Sequence, residues 1–149
     1  MPNIPIAINV DFTGVSYQNG AWSGTPSFSA SPSSAPVQQG NNKITWTLTT
    51  LNGLNQNTVP AGYAAGFTSD GIVFKTTNQQ PWNNAPAKQP DGTITASDNF
   101  QNLSEDVYYY YTTKVQLSPQ AGTNGQPNTW SFDPDVVNES GNVKLVAAK

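Results

Sequence analysis

The chain has 149 residues and a formal net charge of −3, and it contains no histidine, no cysteine and no arginine. The serine triad, the cysteine–histidine dyad and ordinary zinc sites need histidine or cysteine, so the sequence excludes them. The lysines are scattered singly along the chain, whereas nucleic-acid binding normally needs clustered positive charge. We therefore expect no nucleic-acid partner and, at this length, a single domain over residues 1–149.

Polar uncharged residues dominate the composition, since hydrophobic residues make up 36% and charged residues 10%. This balance favours strands and turns over helices, which prefer Ala, Leu, Glu, Lys and Arg. No run of about 18 apolar residues is present, so we expect no membrane span and no membrane partner. The N-terminal stretch MPNIPIAINVDFTG has no basic region of the kind that opens a signal peptide, which favours a cytoplasmic location.

Alternating apolar residues from Ile4 to Phe12 predict a first strand with one apolar face. Asn19-Gly20 is then typical of a tight hairpin turn between the short segments VSY and AWS. Residues 23–42 are rich in serine and contain three prolines, which predicts an edge strand or a long surface loop. The next segment, KITWTLTTL at 43–51, alternates apolar and threonine residues and predicts the clearest strand of the first half.

The second half continues with short predicted strands. Two of them flank Asp70-Gly71, a favoured two-residue turn, and residues 79–92 predict a long proline-rich loop. A short strand at 92–97 precedes a turn or single helical turn. The segments that end the chain are the tyrosine strand VYYYYTTKVQL, the strand NTWSFD and a closing hairpin that bends at 140–142. Eight or nine short strands of this kind predict an all-β fold, a single antiparallel β-sandwich of immunoglobulin-like type.

The four consecutive tyrosines have two alternative roles: they serve only to build the strand, or some of them form a binding surface. Residues two apart in a strand share a face, so one row should face the core: Val107, Tyr109, Tyr111, Thr113, Val115 and Leu117. The opposite row holds Tyr108, Tyr110 and Lys114. The favoured interpretation is that all four are strand formers with their hydroxyls at a rim or hydrogen-bonded. The alternative is that Tyr108 and Tyr110 form an exposed platform for a sugar or another subunit.

A second candidate surface lies in the proline-rich segment, where Trp82 precedes Asn83 and Asn84. A tryptophan beside two amides suits the stacking of a pyranose ring and hydrogen bonds to its hydroxyls, and Tyr63 is a further aromatic candidate. The alternative is that these aromatic residues pin the loop to the body of the protein.

The segment DPDVVNE brings four oxygen donors close together, and oxygen donors are what calcium prefers. They are Asp133, Asp135, Asn138 and Glu139. Their spacing departs from that of an EF-hand loop, and a strand end followed by a turn is the favoured explanation. We expect no other cofactor. The catalytic alternatives that remain are a glycosidase-type pair of carboxylates, an activated lysine and a metal held by oxygen ligands, and we expect a protein that is not an enzyme.

Several of these segments together resemble the DP-EP family of small bacterial β-sandwich proteins without an assigned activity. The likeness covers roughly residues 44–147 and is carried by GIVFKTT, PDGTITASDNF, YYYYTTKVQL and SFDPDVVNE, although no Glu-Pro dipeptide is present. The late Asp-Pro segment is also similar to the AidA/PixA group of bacterial inclusion-body proteins. Neither resemblance implies catalytic residues.

Two functions from different classes follow as expectations. The first is a non-catalytic ligand-binding module, with carbohydrate as the preferred ligand. The second is a self-associating structural protein, a homo-oligomer whose tyrosine row and edge strands pair between copies.

Overall fold

A computed structural model describes residues 3–31, 34–36, 40–55, 57–74, 82–100, 108–132 and 144–146. These residues form an all-β structure in which every regular element is a strand. The strands are β1 (Asn3–Asp11), β2 (Ser16–Gln18), β3 (Ala21–Ser23), β4 (Ser27–Ser31), β5 (Ser34–Pro36), β6 (Gly40–Leu51), β7 (Tyr63–Phe74), β8 (Trp82–Lys88), β9 (Ile94–Phe100), β10 (Tyr108–Pro119), β11 (Asn128–Phe132) and β12 (Lys144–Val146). The described residues include no helix long and apolar enough to cross a membrane.

The strands form two larger sheets and one small hairpin. The first sheet has the order β4-β1-β6-β9-β8, and the second has the order β11-β10-β12-β5 with β7 also paired to β10. The prediction of a purely antiparallel fold is wrong, because β1 pairs with β6 and β10 pairs with β12 in parallel. Parallel neighbours need a long crossover connection, and the described residues between β1 and β6 form four further strands.

The predicted alternation of the principal strands is confirmed by the burial of their apolar faces. Ile6, Ile8 and Val10 of β1 are 0–1% exposed, and Ile44 and Trp46 of β6 are fully buried. In β10 the row that was expected to face the core is buried from residue 111 onward: Tyr111, Thr113, Val115 and Leu117. The side chains of the three preceding tyrosines lie outside the described part of the structure.

Aromatic contacts join the two larger sheets across this core. The ring of Trp46 in the first sheet lies 5.7 Å from the ring of Tyr111 and 6.1 Å from that of Phe74, both in the second sheet. At another side of the core, Phe28 of β4 stacks on Phe132 of β11 with ring centroids 4.5 Å apart. The apolar faces of the two sheets therefore pack against each other.

The hairpin turn predicted at Asn19-Gly20 is confirmed. Both residues have positive φ, 53° and 76°, and β2 pairs with β3 on either side of them. Two successive positive φ values are the signature of the type I′ turn, which Asn-Gly favours because asparagine and glycine tolerate the left-handed region.

The turn predicted at Asp70-Gly71 is wrong, since β7 runs through these residues as one strand. Phe67 pairs with Val115 and Ile72 pairs with Thr113, so four residues of β7, 68–71, lie opposite the single residue Lys114. The chain bulges outward and continues in the same direction. Glycine and aspartate suit such a bulge for the same conformational reason that they suit a turn.

The long loop predicted over residues 79–92 is also wrong in its central part, where β8 forms the edge of the first sheet. Pro86 is accommodated because an edge strand pairs on one side only, and the pairing with β9 slips on either side of Asn84. The serine-rich segment gives β4 and β5, each at a sheet edge, which confirms the edge-strand alternative.

The predictions for the last strands of the chain differ in how well the structure bears them out. The strand NTWSFD is confirmed as β11, and β9 extends to Phe100, where a turn had been predicted. β12 pairs with β10 and β5, and the bend predicted at 140–142 lies outside the described residues, as do residues 101–107.

Candidate functional site

Polar side chains cover the outer face of the first sheet where β6, β9 and β8 lie side by side. Lys43 of β6 is the cross-strand neighbour of Ser97 in β9, and Ser97 is the neighbour of Asn84 in β8. Two positions further along the register, and on the same face, Thr45 lies beside Thr95. The intervening residues of these strands point into the core, so strand alternation places the hydroxyl, amide and ammonium groups on the opposite face.

Two adjoining depressions run along this face, each with a volume of about 460 Å³. They share Lys43, Gln89 and Thr95 and together form one shallow groove, here called the outer groove. Its lining is Lys43, Thr45, Asn84, Ala85, Ala87, Gln89, Pro90, Asp91, Thr93, Thr95, Ala96 and Ser97. The lining is rich in alcohol and amide groups and contains no described aromatic ring.

Hydrogen bonds within the lining fix the orientation of its polar groups. Asn84 Nδ2 donates to Ser97 Oγ at 2.9 Å. Within the described residues neither side chain forms another hydrogen bond, so the amide oxygen of Asn84 and the hydroxyl proton of Ser97 can serve a ligand. Gln89 Nε2 donates to the carbonyl of Ala87 at 3.1 Å, which leaves its amide oxygen as an acceptor. The groove thus offers oriented donors and acceptors side by side.

Asp91 gives one end of the outer groove a fixed negative charge. Its Oδ1 accepts hydrogen bonds from Thr93 Oγ1 at 2.7 Å and from Thr93 N at 3.0 Å. These bonds lower the pKa of Asp91 below its usual value, and the positive charge of Lys43 lowers it slightly further. The carboxylate is therefore ionised at neutral pH, while the Lys43 ammonium provides the positive charge of the groove.

The local backbone explains why these residues come together. The turn between β8 and β9 is closed by hydrogen bonds from Gln89 N to Thr93 O at 2.7 Å and from Gly92 N to Gln89 O at 2.9 Å. Gly92 has φ 91°, which glycine adopts without strain. The slipped pairing of β8 around Asn84 alters the direction of the edge strand, and irregular pairing of this kind is frequent beside binding sites.

Of the residues that the sequence indicated for sugar binding, Asn84 lies in the outer groove. Trp82 and Asn83 begin β8 at the same edge of the sheet, and the backbone of Trp82 pairs with that of Asp98. The side chains of Trp82 and Asn83 lie outside the described part of the structure. The backbones of Tyr108 and Tyr110 pair with β12, and their side chains are likewise outside it.

Tyr63 lies in a separate place, where it is the buried member of a partly buried aromatic cluster. It is 7% exposed, and its ring centroid is 5.4 Å from that of Trp22 and 5.8 Å from that of Tyr17. Tyr63 Oη and Trp22 Nε1 both donate to the carbonyl of Gln126, at 3.2 and 2.9 Å. Burial raises the pKa of the Tyr63 hydroxyl. The cluster holds the segment between β10 and β11 against the β2–β3 hairpin.

The acidic segment indicated for calcium, with Asp133, Asp135, Asn138 and Glu139, lies outside the described residues. Within the described residues, no group of three or more His, Cys, Asp or Glu side chains is placed to hold a metal ion.

Sequence reasoning missed most of the groove. Lys43, Gln89, Asp91, Thr95 and Ser97 come from two strands and one turn, and their proximity depends on the pairing of β6, β9 and β8. The available signal was the alternation in TITAS and KITWT, which marks the threonines as the outward row of each strand.

No protein-family model matches the chain, and the search of curated proteins finds no match.

Proposed function

We propose that the protein is a non-catalytic carbohydrate-binding module and that the outer groove is its binding site. The observation that carries the proposal is the lining of the groove, in which Asn84, Gln89, Thr95 and Ser97 present amide and hydroxyl groups along one open face. Such groups exchange donors and acceptors with the hydroxyls of a sugar. A volume of about 460 Å³ falls within the roughly 300–1,000 Å³ of small-molecule sites.

A binding role is preferred over a catalytic one because of the carboxylates. A glycosidase needs two carboxyl groups that face each other across the scissile bond. In the described lining of the outer groove Asp91 is the only carboxylate. Its lowered pKa also suits a permanent hydrogen-bond acceptor better than a general acid.

For the fold, we propose that the two larger sheets form one immunoglobulin-like β-sandwich. The support is the aromatic contact between them, Trp46 with Tyr111 and Phe28 with Phe132. Membership of the DP-EP family is part of the same proposal and rests on the sequence segments that resemble it.

The test of the binding function is calorimetric titration of the purified protein with a panel of oligosaccharides. Thr95→Val removes one hydroxyl from the groove at nearly constant volume, and Thr129→Val does the same on an exposed position of β11 as the matched control. We expect Thr95→Val to weaken binding about 2- to 10-fold, as loss of one hydrogen bond does, and Thr129→Val to leave it unchanged.

Equal affinity of both variants and the parent would remove the groove from the proposal. If Trp82→Ala abolishes binding while Thr95→Val leaves it intact, the site lies at the start of β8 instead. A panel without any response would contradict the carbohydrate function itself.

A second function, self-association, is favoured by β4, which forms an edge of the first sheet among the described residues. The strand ends the first sheet, its residues Ser27, Ser29 and Ser31 are exposed, and it contains neither charge nor proline. Stacking of Phe28 on Phe132 places it beside β11, the edge of the second sheet. An edge strand that carries no charge and no proline can pair with the same strand of another copy. Sedimentation at rising protein concentration tests this, and Ser29→Lys should block the association that the parent shows.

A further inference from the structure

We infer that the ligand of the outer groove is an acidic oligosaccharide, whose carboxylate pairs with the Lys43 ammonium while hydroxyls of the sugar donate to Asp91. This inference rests on the proposed carbohydrate function and goes further by naming the chemical class of the ligand.

The first argument is the state of Lys43. Among the described lysines, Lys114 forms an ion pair with Asp70 and Lys88 Nζ donates to the carbonyl of Phe67 at 2.8 Å. Lys43 is exposed and lines both depressions of the groove. It forms no ion pair within the described residues, so its ammonium can bind an anionic group of a ligand.

The second argument is the state of Asp91. Thr93 supplies both hydrogen bonds of Oδ1 and thereby fixes the plane of the carboxylate. Its other oxygen, Oδ2, is a charged acceptor, and an ionised acceptor forms stronger hydrogen bonds than a neutral one. The hydroxyls of a sugar are donors of the right kind, whereas a ligand carboxylate placed there would be repelled.

The third argument is the order of these groups along the groove. Lys43, the cross-strand neighbour of Ser97, lines both depressions, whereas Ser97 lines only the first and Thr93 with Asp91 only the second. Thr93 directly precedes β9 and lies four positions from Ser97, a distance of about 13 Å from the strand rise. An oligosaccharide that contains a uronic acid supplies both a carboxylate for Lys43 and hydroxyls for Asp91 over such a length.

The test is calorimetric titration of the full chain with trisaccharides of galacturonic, glucuronic and mannuronic acid, each compared with its methyl ester. Esterification removes the charge and keeps the hydroxyls. We expect at least one acid to bind about 2- to 5-fold more tightly than its ester, the range of an exposed charge pair. The preference should disappear at about 1 M salt, where the screening length is roughly 3 Å.

Variants of the lysines test whether Lys43 causes the preference for the acid over its ester. Lys43→Gln should bind acid and ester equally, Lys43→Arg should keep the preference, and Lys114→Gln on the second sheet serves as the matched control. Because the side chain of Lys43 is exposed, its replacement leaves the core intact, and thermal unfolding checks this.

The outcomes distinguish failure of the acidic-ligand inference from failure of the carbohydrate-binding function. Esters that bind as tightly as acids would overturn the acidic ligand and keep the carbohydrate function. A preference that survives in Lys43→Gln would overturn the role of Lys43. If neither the acids, nor the esters, nor the wider sugar panel bind, the proposed function itself is contradicted.

Discussion

The ammonium of Lys114 lies 2.8 Å from Asp70 Oδ2 across the bulge of β7. Thr68 Oγ1 donates to the other carboxylate oxygen at 2.8 Å. One charge pair and one hydroxyl thus hold the four bulged residues against the single residue of β10 that faces them. Both oxygens of the Asp70 carboxylate therefore have a partner, and these two contacts fix the conformation of the bulge.

The stability that this pair contributes should depend on pH. The hydrogen bond from Lys114 and that from Thr68 lower the pKa of Asp70 below its ordinary value of 3.8. A lowered pKa in the folded state stabilises the protein above the unfolded-state value, and the contribution is lost as the pH falls through the folded-state value. The Asp70 side chain is 58% exposed, so we expect a coupling of only about 0.2–1 kcal/mol.

A double-mutant cycle of Asp70→Asn and Lys114→Gln, followed by urea unfolding, measures this coupling. We expect a smaller coupling at about pH 2 than at about pH 7, because acid protonates the carboxyl and removes its charge. A coupling of equal size at both pH values would show that charge does not hold the bulge.

Gly71 should be intolerant of a side chain, although it lies within a strand. A Cβ there would lie 2.8 Å from Ile94 Cδ1 and 2.8 Å from Phe67 Cβ, and both of those side chains are buried. Overpacking of this kind costs about 1–3 kcal/mol. We expect Gly71→Ala to lower the free energy of unfolding by that amount in urea titrations.

Gly66 provides the matched control in the same strand. Nothing lies within 4 Å of a Cβ at Gly66, so Gly66→Ala should leave stability unchanged or raise it slightly. Equal destabilisation by both variants would point to a general effect of alanine in β7 and not to the contact with Ile94.

The sequence predicted the strands themselves better than it predicted which strands pair with each other. Alternation identified β1, β6 and β10 because a strand with one buried face must alternate, and Asn19-Gly20 identified a turn because few residue pairs adopt two positive φ values. Asp70-Gly71 failed as a turn because the same residues also suit a bulge, and only the pairing of Phe67 and Ile72 with one partner strand tells the two apart.

The candidate site was less accessible to sequence reasoning. Asn84 was identified, whereas Lys43 and Ser97 were not, because they are 54 positions apart and become neighbours only through the register of β6 and β9. Tyr63 was considered for ligand stacking on its residue type, but its burial follows from the packing of Tyr17 and Trp22 around it.

Tyr63 should therefore contribute to stability and not to sugar binding. Tyr63→Phe keeps the ring and removes the hydrogen bond from Oη to the carbonyl of Gln126. We expect the midpoint of thermal unfolding to fall by about 2–4 °C, the shift that loss of one hydrogen bond gives in a chain of this size. Calorimetric titration should give the parent affinity for any sugar, and a loss of affinity in the folded variant would contradict a purely structural role.

Removal of the Tyr111 hydroxyl should have the opposite result. Tyr111 is fully buried, and within the described residues neither its Oη nor the nearby Nε1 of Trp46 forms a hydrogen bond of ordinary geometry. A buried polar group without a partner opposes folding because it loses its bonds to water. We expect Tyr111→Phe to leave the free energy of unfolding unchanged or to raise it by up to about 1 kcal/mol.

The same variant should also resist alkaline unfolding. Burial raises the pKa of the Tyr111 hydroxyl, and the nearby Trp46 N–H acts weakly in the opposite direction. Above a pH of about 10 the unfolded chain releases this proton while the folded chain retains it, so the stability of the parent falls as the pH rises. Because Tyr111→Phe removes one such proton, its stability should fall less steeply, and the difference between the two proteins should grow by about 1.4 kcal/mol in total between about pH 9 and 11.

Urea unfolding of parent and variant between about pH 9 and 11 measures that difference in slope. Equal slopes would mean that Tyr111 ionises as readily in the folded protein as in the unfolded chain, which its complete burial beside Trp46 and Phe74 opposes. Since every other tyrosine is the same in the two proteins, the difference belongs to this one hydroxyl.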